Sequence, residues 1–141
     1  MPMNETQRRT LEQIVADTGR YPMEAFEFVR QGLNYTVGHI HGEAKARQAA
    51  QECHVSGQQL CKGLRDYAIE RYGLMAGSVL RHFNIRRTVD FGRIVFAMVE
   101  GKIMQKTDDD DIRDFENVFD FATAFEPPVR PRSASKPVFT L

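Results

Sequence analysis

Tryptophan is missing from this chain, and cysteine occurs only twice, at Cys53 and Cys61. Two cysteines cannot make a disulfide scaffold. A chain of 141 residues also buries enough surface to hold a core without one. The expected setting is therefore the reducing cytoplasm, with both thiols free. Long apolar runs are missing as well. The longest, Ile94 to Val99, has six residues, against the roughly 18 that a membrane helix needs. The N-terminus is polar, and no apolar stretch of the kind found in secretory leaders follows Arg8 and Arg9. Formal charge sums to zero, so no overall excess points to nucleic acid, an anionic membrane or an acidic substrate.

What is present is an aliphatic and phenylalanine-rich core, with ten Phe, and a strongly segregated charge distribution. Residues 1–77 are balanced. Residues 78–106 carry six cations, Arg81, Arg86, Arg87, Arg93, Lys102 and Lys106, against two acids, Asp90 and Glu100. Residues 107–126 reverse this with one Arg and eight acids, and Arg130, Arg132 and Lys136 follow with no acid among them. A neutral total thus conceals a basic block, an acidic block and a basic tail.

Apolar spacing and end signals point to a mainly α, compact multi-helix single domain over residues 1–126. Asn4 and Gln7 form a capping box before a helix reaching Asp17, whose stripe is Leu11, Ile14 and Val15, and Gly19 ends it. Pro22 starts a second helix with Phe26, Val29, Leu33 and Val37 on one face and Phe28 and Tyr35 beside it. After a break at His39 to Gly42, Glu43 to Gln51 is helical by composition. Ser56 and Gln59 form a second capping box, with Val55 and Leu60 at the hydrophobic-staple positions. That box opens a helix through Leu64, Tyr67, Ala68 and Tyr72 to Gly73. A short helix over Met75–Phe83 follows. The next begins at Thr88 or Asp90, places Phe91, Ile94, Val95, Met98 and Val99 on one face, and stops at Gly101. Phe115, Val118, Phe119, Ala122 and Phe125 fit a helix, yet Phe119-Asp120-Phe121 also fits a strand. Residues 127–141 are rich in Pro, Ser and basic side chains and read as a disordered tail.

Ser56-Gly57-Gln58-Gln59 lacks the pattern of a phosphate loop and reads as a cap. Asp108 to Asp111 lacks the spaced ligands and central Gly of a calcium loop, and suits a first helical turn. His39-x-His41, Cys53-His54 and Cys61 do not show the usual zinc spacings. No cofactor or metal is expected, and no catalytic motif is present. The stretch from Leu80 to Ile103 has the layout of a helix-turn-helix, with Arg86, Arg87 and Arg93 at the start of the second helix. Residues 102–106 and 117–121 would complete a winged-helix-like arrangement as a small β-hairpin. Two features oppose duplex DNA as the ligand. Arg93 stands where the motif calls for an apolar residue, and the tip of the expected wing is Asp108 to Asp111.

Several segments together carry a likeness. They are Arg20-Tyr-Pro, Tyr67 through Tyr72-Gly73-Leu74, Phe83-Asn-Ile85-Arg86, Asp90-Phe-Gly-Arg-Ile-Val-Phe96, Lys106-Thr-Asp108 and Asp114-Phe-Glu-Asn-Val-Phe-Asp-Phe121 through Ala124-Phe125. Over about residues 20–126 the chain resembles a family of short uncharacterised bacterial proteins, largely restricted to planctomycetes and verrucomicrobia. That resemblance implies a bacterial, single-domain protein and carries no activity, cofactor or site residue with it.

The function expected from the sequence is a non-enzymatic interaction or regulatory module. Its partner-binding cations are Arg81, Arg86, Arg87, Arg93, Lys102 and Lys106, and its partner is a protein. A nucleic-acid-binding protein using residues 78–106 is the second reading, and an enzyme with an unrecognised site the third. No membrane association is expected. Arginines at a helix start oppose the helix dipole, so either a ligand uses them or an acid neutralises them. The acidic stretch at 108–120 is one source of such an acid.

Overall fold

The computed structural model describes residues 4–42 and 55–125. The expected helix at 43–51, the Cys53-His54 pair and the tail from Pro127 lie outside those residues. Six α-helices occur among the described residues: α1 (Glu5–Thr18), α2 (Met23–His41), α3 (Gly57–Tyr72), α4 (Ala76–His82), α5 (Thr88–Glu100) and α6 (Phe121–Ala124). Two 3-10 turns, Gly73–Met75 and Ile112–Phe115, complete the regular structure, and no strand occurs among the described residues.

The helix starts follow their caps. Asn4 accepts a hydrogen bond from the Gln7 N–H at 2.7 Å while the Gln7 side chain accepts from the Asn4 N–H. Ser56 and Gln59 repeat the device at 3.1 and 2.9 Å. Each box satisfies two amide donors that have no partner within the helix.

α2 and α3 form the principal helix pair. Tyr72 stacks near Phe28, Leu64 faces Gly32 and Thr36 faces Gly63, so the two helices run antiparallel. The pairing is reciprocal. A β-carbon at Gly32 would fall 2.2 Å from the Leu64 side chain, and one at Gly63 would fall 1.9 Å from the Thr36 hydroxyl. Each helix thus offers a notch to the other's side chain, and the backbones approach closely. Thr36 turns its hydroxyl to the Gly32 carbonyl at 2.7 Å, so the buried donor is satisfied.

Phe26, Val29, Leu11, Leu64, Leu80, Ile85, Phe91, Ile94 and Met98 are fully buried between these helices, α1 and α5. Phe28 is the hub of the aromatic packing, with ring centroids of Tyr67, Tyr72, Phe83 and Phe91 5.5–6.4 Å away. The apolar faces read from helical spacing are therefore the faces that pack.

α4 and α5 each end by the same device. After α4, the Ile85 N–H donates to the Leu80 carbonyl and the Asn84 N–H to that of Arg81, with Asn84 left-handed at φ 64°. After α5, the Ile103 N–H donates to the Met98 carbonyl and the Lys102 N–H to that of Val99, with Lys102 left-handed at φ 65°. Both are Schellman ends, which normally place Gly at the left-handed position. Lysine there costs about 1–2 kcal/mol. The glycine sits one residue earlier for a packing reason: a β-carbon at Gly101 would fall 2.1 Å from Ile14.

The expected winged-helix-like arrangement is not present: α4 precedes α5 in the chain, but no strand and so no β-hairpin occurs among the described residues. Residues 102–104 are used up by the helix end, since the N–H groups of Lys102, Ile103 and Met104 all turn back to α5 carbonyls. Residues 117–121 dock on α5 instead of pairing with a strand. The buried Thr88 hydroxyl donates to the Phe115 carbonyl at 2.5 Å and accepts from the Val118 N–H at 3.2 Å. The alternation of Phe119-Asp120-Phe121 comes from side-chain packing: Phe119 and Phe121 stack on each other at 5.3 Å, and Phe121 lies 5.7 Å from Phe91. Asp120 caps α6 through the Ala122 N–H at 3.0 Å. The acids Asp108 to Asp111 do not start an α-helix. Among them Asp111 opens the 3-10 turn, accepting from the Arg113 N–H at 2.9 Å.

Candidate functional site

The start of α5 is organised by one buried carboxylate. Asp90, in the first turn of α5, is 5 % exposed and accepts from four donors. Oδ1 takes the Tyr21 hydroxyl at 2.5 Å and Arg93 Nη1 at 3.0 Å. Oδ2 takes the backbone N–H of Arg86 at 2.8 Å and of Arg87 at 3.0 Å. Arg87 occupies the N-cap position and has no side-chain acceptor to offer, so Asp90, three residues on, reaches back to do the capping. Tyr21 arrives from the α1–α2 connection, 69 residues away. Burial on its own would raise the Asp90 pKa, but the hydrogen bonds from Tyr21 and the two amides, with the charge of Arg93, outweigh it and hold the carboxylate below its usual range. Burial and the hydrogen bond to Asp90 push the Tyr21 phenol up to about 12. Tyr21 and Asp90 also raise the pKa of Arg93.

The acid that pairs with a cation of the basic helix start is Asp90, on the same helix, which holds Arg93, while Glu116 and Asp120 of the 108–120 stretch line the cleft beside Arg86 and Arg87. Among the described residues Arg113 pairs with Asp111 at 2.9 Å, within the acidic stretch itself.

The six cations of the basic block do not share one surface. Arg86, Arg87 and Arg93 line a cleft of about 560 Å³, whose other wall is Glu116, Asn117, Phe119, Asp120 and Phe121. Arg93 is half-buried and tied to Asp90, whereas Arg86 and Arg87 are exposed. Their backbones are fixed by Asp90, and their side chains project from that fixed point. Arg86 Nε also donates to Asn84 Oδ1 at 3.4 Å, and Asn84 Nδ2 donates to the Arg20 carbonyl at 3.0 Å. Beside the cleft the Arg65 guanidinium lies 5.8 Å from the Phe119 ring. Lys102 and Lys106 line a separate, mainly apolar cleft of about 390 Å³ at the other end of α5. That end lies about 18 Å away by helical rise. Arg81 is exposed near the end of α4 and lines neither.

The 560 Å³ cleft can hold a planar anion. Guanidinium groups present fixed donor forks that match carboxylate or phosphate oxygens, and Phe119 and Phe121, stacked on each other, line the same cleft. The groups with shifted pKa values do other work. Tyr21 and Asp90 are enclosed in their own network. Burial pushes the Cys61 thiol up to about 12, so it stays protonated at neutral pH. No cluster of three or more His, Cys, Asp or Glu suited to a metal occurs among the described residues. No helix among them is long and apolar enough to cross a membrane.

The sequence locates the arginines and places Thr88 and Asp90 at a helix start, but does not show the contacts that Asp90, Tyr21 and Thr88 make. For Asp90 a signal was available: an acid at the third helical position, with Arg93 three residues on, is a capping and i,i+3 pairing pattern. Tyr21 and Thr88 left no local signal, because their partners come from distant segments. No protein-family model, curated protein or solved structure matches the chain.

Proposed function

We propose that the protein is a non-enzymatic interaction module that takes an acidic protein segment in the cleft at the start of α5. The carrying observation is that Arg86 and Arg87 project from backbone amides fixed by Asp90, opposite Phe119 and Phe121. Two outward guanidinium groups beside a stacked pair of phenylalanines suit a carboxylate-rich peptide with an apolar or aromatic residue. Arg93 is the positioning member of the set, since its charge is engaged by Asp90. Arg81 extends the basic surface beyond the cleft. The setting proposed with this reading is the cytoplasm, on the ground that the chain has only two cysteines.

Duplex nucleic acid is the second reading. It is supported by the same arginines and the order of α4 and α5. Glu116 and Asp120 in the wall of the cleft oppose a bound phosphate and a bound carboxylate alike, so the preference for a peptide rests on Phe119 and Phe121, which a duplex with stacked bases does not use. Fluorescence anisotropy with labelled acidic, aromatic-containing peptides and with a duplex oligonucleotide separates the two. The expected result is saturable peptide binding that is lost in the Arg86→Glu/Arg87→Glu double variant. Tighter duplex binding, with a salt slope that shrinks in the same variant, would replace the peptide reading with the nucleic-acid one.

A further inference from the structure

The cleft at the far end of α5 has a different chemistry. Its walls are Val37 of α2, Leu60 of α3 and Val95 and Phe96 of α5, with Ile103 and Phe115 closing it. Leu60 and Phe115 are nearly fully buried, while Lys102 and Lys106 are exposed at the polar margin. At about 390 Å³ it falls within the range of small-molecule sites, which are apolar enclosures with a few polar groups that fix orientation. We propose that this cleft binds a small amphipathic carboxylate, a medium-chain fatty acid being the simplest, with its chain on the apolar walls and its carboxylate at Lys102 and Lys106.

Three observations carry the assignment. The lining combines apolar side chains from three helices with two ammonium groups, alongside Gln7, Ser56, Gln105 and Asp110. Among the described lining residues two lysines face one acid: Asp110 accepts from the Thr107 N–H at 2.8 Å, Lys106 Nζ donates to the Thr107 carbonyl at 3.3 Å, and Lys102 is exposed. Lys102 also occupies a left-handed position at φ 65° where glycine would fold at less cost. Lysine there places an ammonium at the margin from a backbone held by two hydrogen bonds to α5 carbonyls. This site is independent of the arginine cleft, and substitutions at Arg86 and Arg87 leave it intact.

The test uses the full chain and two probes of equal chain length, decanoate and decanol, below their aggregation limits. Calorimetric titration should show saturable decanoate binding, with the alcohol weaker by about tenfold, the size of one charge-assisted hydrogen bond. Lys102→Gln/Lys106→Gln should remove that preference without lowering the melting temperature. Val95→Phe, which fills the cleft, should weaken both probes together. Methyl resonances of Val37, Val95 and Ile103 should shift on titration with decanoate. The proposal is overturned if decanoate does not saturate, if the double lysine variant retains the preference, or if the shifted methyl groups lie elsewhere. Should Val95→Phe fail to fold, the lysine variant and the methyl map decide the matter without it.

Discussion

The two ends of α5 are closed in opposite ways. At its start the amides of Arg86 and Arg87 are satisfied by a side chain, Asp90, which also gathers Tyr21 and Arg93 from around it. At its end the carbonyls of Met98 and Val99 are satisfied by the next few backbone amides, and no side chain from elsewhere takes part in those bonds. One end is a tertiary junction and the other is local. Cations flank both, but they do different work: Arg93 is held by a buried acid, Arg86 and Arg87 stand outward, and Lys102 and Lys106 border an apolar cleft. A run of like charge in a sequence therefore need not be a surface in the fold.

The comparison can be set against the helix core on which both ends depend. Leu64 is fully buried and fills the Gly32 notch. Leu64→Ala should cost about 2–5 kcal/mol in denaturant unfolding, from lost burial and the cavity left behind. A neutral result would mean that the α2–α3 face is misassigned.

Asp90→Ala probes the tertiary junction. It leaves the Tyr21 hydroxyl, two amides and a half-buried guanidinium without their acceptor, and should cost about 2–4 kcal/mol. A local helix end offers no single side chain whose removal would do as much. Ser56→Ala removes a cap that serves only its own helix and should cost about 0.5–2 kcal/mol, measured in the same way.

The pH dependence of unfolding sharpens the same contrast. The folded pKa of Asp90 is depressed, so its contribution is present above the unfolded carboxylate value of about 3.9 and is lost as pH falls through the lower folded value. Tyr21 behaves in the opposite sense. Its raised pKa gives a contribution present below the unfolded value of about 10, lost as pH rises through about 12. Cys61, also raised to about 12, adds to the alkaline loss from about pH 8.5 upward. Tyr21→Phe should remove the tyrosine part of that alkaline loss and, because its hydrogen bond helps hold the Asp90 pKa down, should shrink the acid limb as well. An unchanged alkaline limb would show that the phenol is not coupled to folding.

The helices, their caps and their buried faces were legible in the sequence because each depends on neighbours three or four residues apart. Asn4, Ser56, Phe91, Ile94 and Met98 all stand where that spacing puts them. Residues 102–125 were not legible, for a physical reason. They are shaped by tertiary pins, Thr88 to Phe115 and Val118, and Phe121 against Phe91, and alternating phenylalanines docked on a helix mimic a strand. The arginines could be located from composition, but their separate uses depended on Tyr21 and on which residues form the opposite wall of the cleft.

The central claim is that within one basic block Arg93 belongs to the fold while Arg86 and Arg87 do not. Denaturant unfolding of Arg93→Glu beside Arg86→Glu/Arg87→Glu tests it directly. The account predicts that the double variant stays within about 0.5 kcal/mol of the parent. Arg93→Glu should lose about 2 kcal/mol or more, because it sets a carboxylate beside the buried Asp90. Equal destabilisation of the two variants, or a greater loss in the double variant, would contradict it.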